Sequence, residues 1–151
     1  MSMFLGIDAS ASGLTAERLR MDVISNNIAN ANTTRTVQGG AFRRRYVVFM
    51  PREKELESFE QALKNATGYR KSAGDGVRAV EIAEDTQDGP LVFDPSHPDA
   101  NEDGYVQKPN VNIVSEMVDL ITASRAYEAN TTVINAAKSM AMKALEIGSG
   151  R

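Results

Sequence analysis

The side chains with the most evident chemical capacity lie between residues 94 and 104. Asp94, His97, Asp99, Glu102 and Asp103 gather there as candidate metal ligands. Asp99, Asn101, Asp103 and Gly104 fit the first half of an EF-hand calcium loop, D-x-[DN]-x-[DN]-G. Such a loop closes on a bidentate Glu at its twelfth position. Here that position holds Asn110, and Pro95 and Pro98 oppose an entering helix. The segment reads as an acidic turn. His97, the sole histidine, sits between two near-neighbour prolines with no nucleophile at a suggestive spacing. A general base needs such a group within hydrogen-bond reach. The chain has no Cys, which removes disulfides, Cys-ligated zinc, iron–sulfur clusters and thiol catalysis. The expectation is a protein that is not an enzyme and holds no cofactor or metal.

A second candidate is basic. Arg43, Arg44 and Arg45 are consecutive and could meet phosphate. The formal net charge of −3 argues against a binder that relies on a positive field to hold nucleic acid. The run is expected to be the salt-bridged or solvated edge of a strand. Three N-x-[ST] triplets, at Asn32, Asn65 and Asn130, are what chance gives a chain rich in Asn and Thr.

The elements that would carry these residues are unevenly charged. Charged side chains number five in residues 2–30, seven in 111–147 and 24 in 31–110. The two most helical stretches are therefore the least charged. A chain of 151 residues fits one domain. No stretch approaches 18 apolar residues, so no membrane-spanning helix is expected. The first ten residues, MSMFLGIDAS, lack the basic and apolar regions of a cleavable secretory signal.

Residues 3–30 read as a helix about 40 Å long. Ile7, Leu14, Met21 and Ile28 recur at a spacing of seven, with Ala11, Ile24 and Ala31 at the intermediate step and Arg18 breaking that row. The segment runs into Asn26, Asn27, Asn30 and Asn32. Asn competes for backbone hydrogen bonds and favours helix ends and turns, though packed amides could also bridge neighbouring chains. Residues 111–147 contain no Pro or Gly and read as a helix of roughly 50 Å. Ile113, Leu120, Tyr127, Ile134 and Ala141 form one row of seven. Ala123, Asn130, Ala137 and Ala144 form the other. Further apolar residues widen this seam into a girdle, which implies more than one packing partner.

Between the helices, 42–50 and 91–93 read as strands, and the alternation over 77–86 predicts another. Residues 52–66 suggest a short amphipathic helix, followed by a glycine-rich loop. The fold class is therefore α+β. Its helical coiled-coil domain comprises 1–33 and 110–148, and its β-rich module spans 34–109 with an insertion near 52–76. Two helices cannot bury girdles this wide, so other chains should cover the remainder.

Three separated motifs resemble those of one family. Residues 25–33 (SNNIANANT) resemble the N-terminal signature of bacterial flagellar rod and hook proteins. Residues 109–118 (PNVNIVSEMV) and 123–130 (ASRAYEAN) resemble their C-terminal signature. Residues 94–99 (DPSHPD), then Gly104-Tyr105-Val106 and Pro109-Asn110-Val111, point within that family to the proximal rod. The resemblance implies a structural subunit of the basal body, exported unfolded by the flagellar type III apparatus without a cleavable signal. It implies helical stacking with copies of itself and other rod subunits, adaptor proteins at the rotor base, and torque transmission to the hook. It carries over Asn26, Asn27, Asn30, Asn32, Arg125, Tyr127 and Asn130 as interface positions. Beside them, the pattern places Ile7, Leu14, Met21, Ile24, Ile28, Ile113, Leu120, Ile134, Ala137 and Ala141 on the assembly surface. The alternatives are a generic coiled-coil scaffold, a more distal rod or hook subunit, and an enzyme built on the acidic turn. Distal subunits should have a longer middle.

Overall fold

The computed structural model describes residues 3–37, 39–52 and 76–148. Helix α1 spans Met3–Ala29, and helix α2 spans Ile113–Gly148. Both match the predicted helices closely. Between them run strands β1 (Arg45–Pro51), β2 (Val77–Glu84), β3 (Leu91–Phe93) and β4 (Tyr105–Gln107). The fold is α+β. The short helix expected over 52–66 and most of the insertion lie outside the described residues.

Strands β1 and β2 form one antiparallel pair, with Arg45 opposite Glu84 and Pro51 opposite Val77. The register shifts at Val48/Phe49, the mark of a β-bulge. Strands β3 and β4 form a second antiparallel pair. There Phe93 and Tyr105 meet edge to face, with ring centroids 5.2 Å apart, a favoured aromatic geometry. Val106, which pairs with Val92 in the same ladder, is buried.

The helices run antiparallel, because Asn27 meets Glu116 while Gly13 meets Asn130. On α2 the predicted rows are covered in part, while Ile113, Tyr127 and Ala144 are exposed. Ala123 and Ala137 are buried, and Leu120, Asn130, Ile134 and Ala141 are half-buried. At α1 and just after it, the expected intermediate positions Ile24 and Ala31 are buried, but a second buried line lies beside them. It runs through Ala16, Val23 and Asn27, with Ala9 and Gly13 half-buried on the same heptad spacing. Ile7, Leu14, Met21 and Ile28 are half-buried beside it, and Ala11 is exposed. Small residues on this line let the backbones approach, and Gly13 is the clearest case. A Cβ added there would stand 2.9 Å from Asn130 Nδ2.

The β1–β2 pair is fastened along α1. Ser12 Oγ donates to Ala9 O at 2.7 Å and accepts the Val77 amide at 3.0 Å. Gly76 takes φ +94° there. A side chain at that position would collide with Ser12, so only glycine lets the chain pass so close to the helix. Likewise, a side chain at Gly89 would strike the Lys108 carbonyl, which keeps residues 87–89 pressed on 108–110.

Candidate functional site: a buried polar junction beside an open apolar helix face

The three consecutive arginines have three different fates. Arg43 pairs with Asp88 at 2.7 Å, with both side chains largely exposed. Arg45 pairs with Glu84, its partner across the ladder, at 2.8 Å, and its guanidinium lies 5.7 Å from the Phe42 ring centroid. Arg44 turns inward. Its Nε donates to Glu116 Oε1 at 2.6 Å, and its Nη2 reaches Asp119 Oδ2 at 3.3 Å. The expectation of a salt-bridged strand edge therefore fits Arg43 and Arg45, while Arg44 serves the interior.

Glu116 is fully buried, at 0% exposure. Its second oxygen accepts from Asn27 Nδ2 at 2.9 Å. Asn27, also at 0% exposure, acts as a surrogate strand. Its Oδ1 accepts the Arg45 amide at 3.0 Å, and its Nδ2 donates to the Arg45 carbonyl at 2.7 Å. A buried polar group needs such partners, because its desolvation is otherwise uncompensated. Here one amide and one carboxylate join the end of α1, the start of β1 and the start of α2.

Asn110 and Asn112 complete the junction. Asn110 Oδ1 accepts the Arg44 amide at 2.6 Å, and its Nδ2 donates to the Gln87 carbonyl at 2.8 Å. Asn112 Oδ1 accepts the amides of Val114 at 3.0 Å and Ser115 at 3.3 Å. That is an N-cap, which satisfies amides that the first helical turn leaves open.

The other sequence-predicted asparagines stay local. Asn30 Nδ2 donates to the Asn26 carbonyl at 2.9 Å, and Asn30 Oδ1 accepts from Thr33 Oγ1 at 3.2 Å. Asn26 and Asn32 are exposed. Ile24 is buried among the residues that close the junction. Asn130 donates back to the Ala126 carbonyl of its own helix at 3.0 Å. Arg125, Tyr127 and Ile113 lie on the exposed side of α2.

The acidic turn closes on itself and on the chain after α1. Asp94 Oδ1 accepts from the Ser96 hydroxyl at 2.7 Å and the Ser96 amide at 3.2 Å. These bonds hold the Asp94 carboxyl below its ordinary range. Asp99 accepts from Thr34 Oγ1 at 2.7 Å and lies 3.7 Å from Arg35. Asn101 Oδ1 accepts the amides of Asp103 and Tyr105, at 3.1 and 2.8 Å. The side-chain oxygens of Asp94, Asp99 and Asn101 thus shape the turn.

Next to the junction, α2 carries an uncovered apolar stripe. Val114, Met117, Val118 and Ile121 are exposed at steps of three and four. Val133, Met140, Met142, Leu145 and Ile147 are exposed farther along. A stripe of this kind marks a binding surface when it is contiguous. Shallow clefts of about 410 and 380 Å³ lie beside β1.

A family model described as flagella basal body rod protein matches residues 7–35. Another, the flagellar basal body rod FlgEFG protein C-terminal model, matches residues 102–147. The flagellar basal-body rod protein FlgC of Bacillus subtilis is 49% identical, over 98% of this chain and 99% of that protein. The chain belongs to the flagellar basal-body rod protein family. FlgC of Borreliella burgdorferi is 47% identical, over 99% of this chain and all of its own length. FlgC of Salmonella typhimurium is 35% identical, over 98% of this chain. As a rod-family member, the chain is a structural protein and not an enzyme. The two matched segments hold Asn27 on one side and Asn110, Asn112 and Glu116 on the other. Arg44, which joins them, lies between the matched segments.

Sequence reasoning overlooked Arg44, Asn110, Asn112 and Glu116 as one constellation. A signal for Glu116 existed. The row Ala123, Asn130, Ala137 extends back seven residues to Glu116, a carboxylate at a core position. Such a residue demands a buried partner.

Proposed function

We propose that this protein is a subunit of the proximal part of the basal-body rod and passes torque between neighbours through side-by-side helices. Residues 1–33 and 110–148 form the assembly domain, and 34–109 form a module outside it. The partners are copies of the chain, other rod subunits and adaptor proteins at the rotor base. Delivery is through the flagellar type III apparatus. The observation that carries this reading is the bare stripe Val114, Met117, Val118 and Ile121 on α2. Apolar area is worth about 25 cal/mol per Å² when covered, so neighbouring subunits gain by packing there. Contacts that do not close on themselves build a helical filament, the geometry a driveshaft needs. The motifs at 94–99 and 109–111 support a proximal over a distal position, as does the full-length likeness to FlgC proteins.

The test is Val118→Glu with Ile121→Glu in a strain lacking the native copy. These positions are already exposed, so the purified variant should keep its thermal midpoint. Rod assembly and swimming should be lost. Normal swimming would overturn the assignment of this face. A generic scaffold would leave basal bodies complete when the whole chain is deleted.

A further inference from the structure

We infer that Glu116 is a latch that makes ordering of the terminal helix pair depend on folding of the β module. The carboxylate has 0% exposure. Its two oxygens are divided between Asn27 of α1 at 2.9 Å and Arg44 at 2.6 Å. Arg44 precedes β1 and is held in place by one contact within the module and one to the chain that leads into α2. Its carbonyl accepts the Asp85 amide at 2.7 Å, extending the β1–β2 ladder, and its amide donates to Asn110 at 2.6 Å. The guanidinium is therefore delivered to Glu116 when the ladder has formed.

Closing α2 onto α1 before that delivery would bury a carboxylate without its cation. A buried charge stripped of its partner is strongly unfavourable. The remainder of the seam offers modest apolar area to set against this. Val23 and Ile24 are its large buried side chains, Leu120 and Ile134 are only half-buried, and Gly13, Ala16, Ala123 and Ala137 are small. Small side chains remove little apolar area from water. Docking of Arg44 thus licenses the helix pair, and the pair in turn supplies Asn27 to the backbone of Arg45. The module and both chain ends order as one cooperative unit.

The experiment is amide hydrogen exchange on the full chain. Arg44→Gln is compared with Arg43→Gln, its neighbour on the exposed Asp88 pair. Arg44→Gln should speed exchange at least about tenfold in both 20–29 and 113–123. Arg43→Gln should leave both segments within about threefold of the parent. Losses confined to β1 and β2 in the Arg44 variant would overturn the inference. Arg44→Met combined with Glu116→Leu removes cation and carboxylate together. It should restore protection at both helix ends, even if Arg44→Gln alone fails to fold, because no unpaired charge is then buried. A double variant as unprotected as Arg44→Gln would show that the charge is not what couples the segments.

Discussion

Gly13 and Asn130 face each other across the helix pair so closely that a Cβ on Gly13 would stand 2.9 Å from the Asn130 amide nitrogen. Gly in a helix costs about 1 kcal/mol relative to Ala. Here that cost is offset by close approach of the two backbones. Gly13→Ala alone should be neutral to about 1 kcal/mol destabilising, because the Asn130 amide, tied to Ala126 O, must move. In an Asn130→Ala background the same change should stabilise by about 1 kcal/mol. Urea midpoints of the four proteins in this cycle measure the difference. An equal effect of Gly13→Ala in both backgrounds would show that the two residues do not interact.

Asn27→Ala removes both bonds to the Arg45 backbone and one bond to Glu116. A buried group left unpaired costs about 1–3 kcal/mol. The expected loss is about 2–4 kcal/mol, read from chemical denaturation. Asn27→Asp should be worse than Ala, since it sets a carboxylate against both the Arg45 carbonyl and Glu116. Thermal midpoints should fall in the order parent, Ala, Asp.

Arg43→Ala should behave quite differently from changes at Arg44. The Arg43–Asp88 pair is largely exposed. Such pairs contribute about 0–1 kcal/mol and weaken with salt. Stability should change by less than about 1 kcal/mol, and the difference should shrink in 1 M salt.

The turn at residues 94–99 should loosen in acid. The Ser96 hydroxyl and amide lower the Asp94 pKa, in that order. For an acid with a depressed folded pKa, the stabilising bonds are fully present above the unfolded value. They are lost as pH falls through the folded value. NMR titration of the Asp94 carboxyl should therefore give a midpoint below the ordinary 3.8. In Ser96→Ala, which loses the larger of the two bonds, that midpoint should move upward. An unchanged midpoint would assign the shift to another cause.

Much of this fold was legible in the sequence, for reasons particular residues make plain. The Pro-free, heptad-patterned ends gave the helices to within two residues, because side-chain spacing survives without knowledge of the neighbours. The seam on α2 was visible through Leu120, Ile134, Ala123 and Ala137. The seam on α1 was harder to read. Ile7, Leu14 and Met21 are the larger residues, but it is Gly13 that close packing sets against Asn130 of α2, with Ala16 buried beside it. Size draws the eye, and a tight interface selects against it. The basic run was read correctly at Arg43 and Arg45. Which of three identical side chains turns inward depends on the partners that fix the Arg44 backbone, Asn110 and Asp85, and these are remote in sequence. Asn110 was weighed as an absent calcium ligand, while its actual work is to hold two backbone segments that are remote in sequence.

The Ser12–Val77 bond and the Asn27–Arg45 pairing attach one strand pair to one helix at sites about 22 Å apart along its axis. A single attachment would let the helix roll beneath the sheet like a hinge pin. Two of them forbid that roll, since turning α1 would pull on backbone amides at both sites together. Helix and strand pair are thereby tied at two well-separated points, so neither can turn without moving the other.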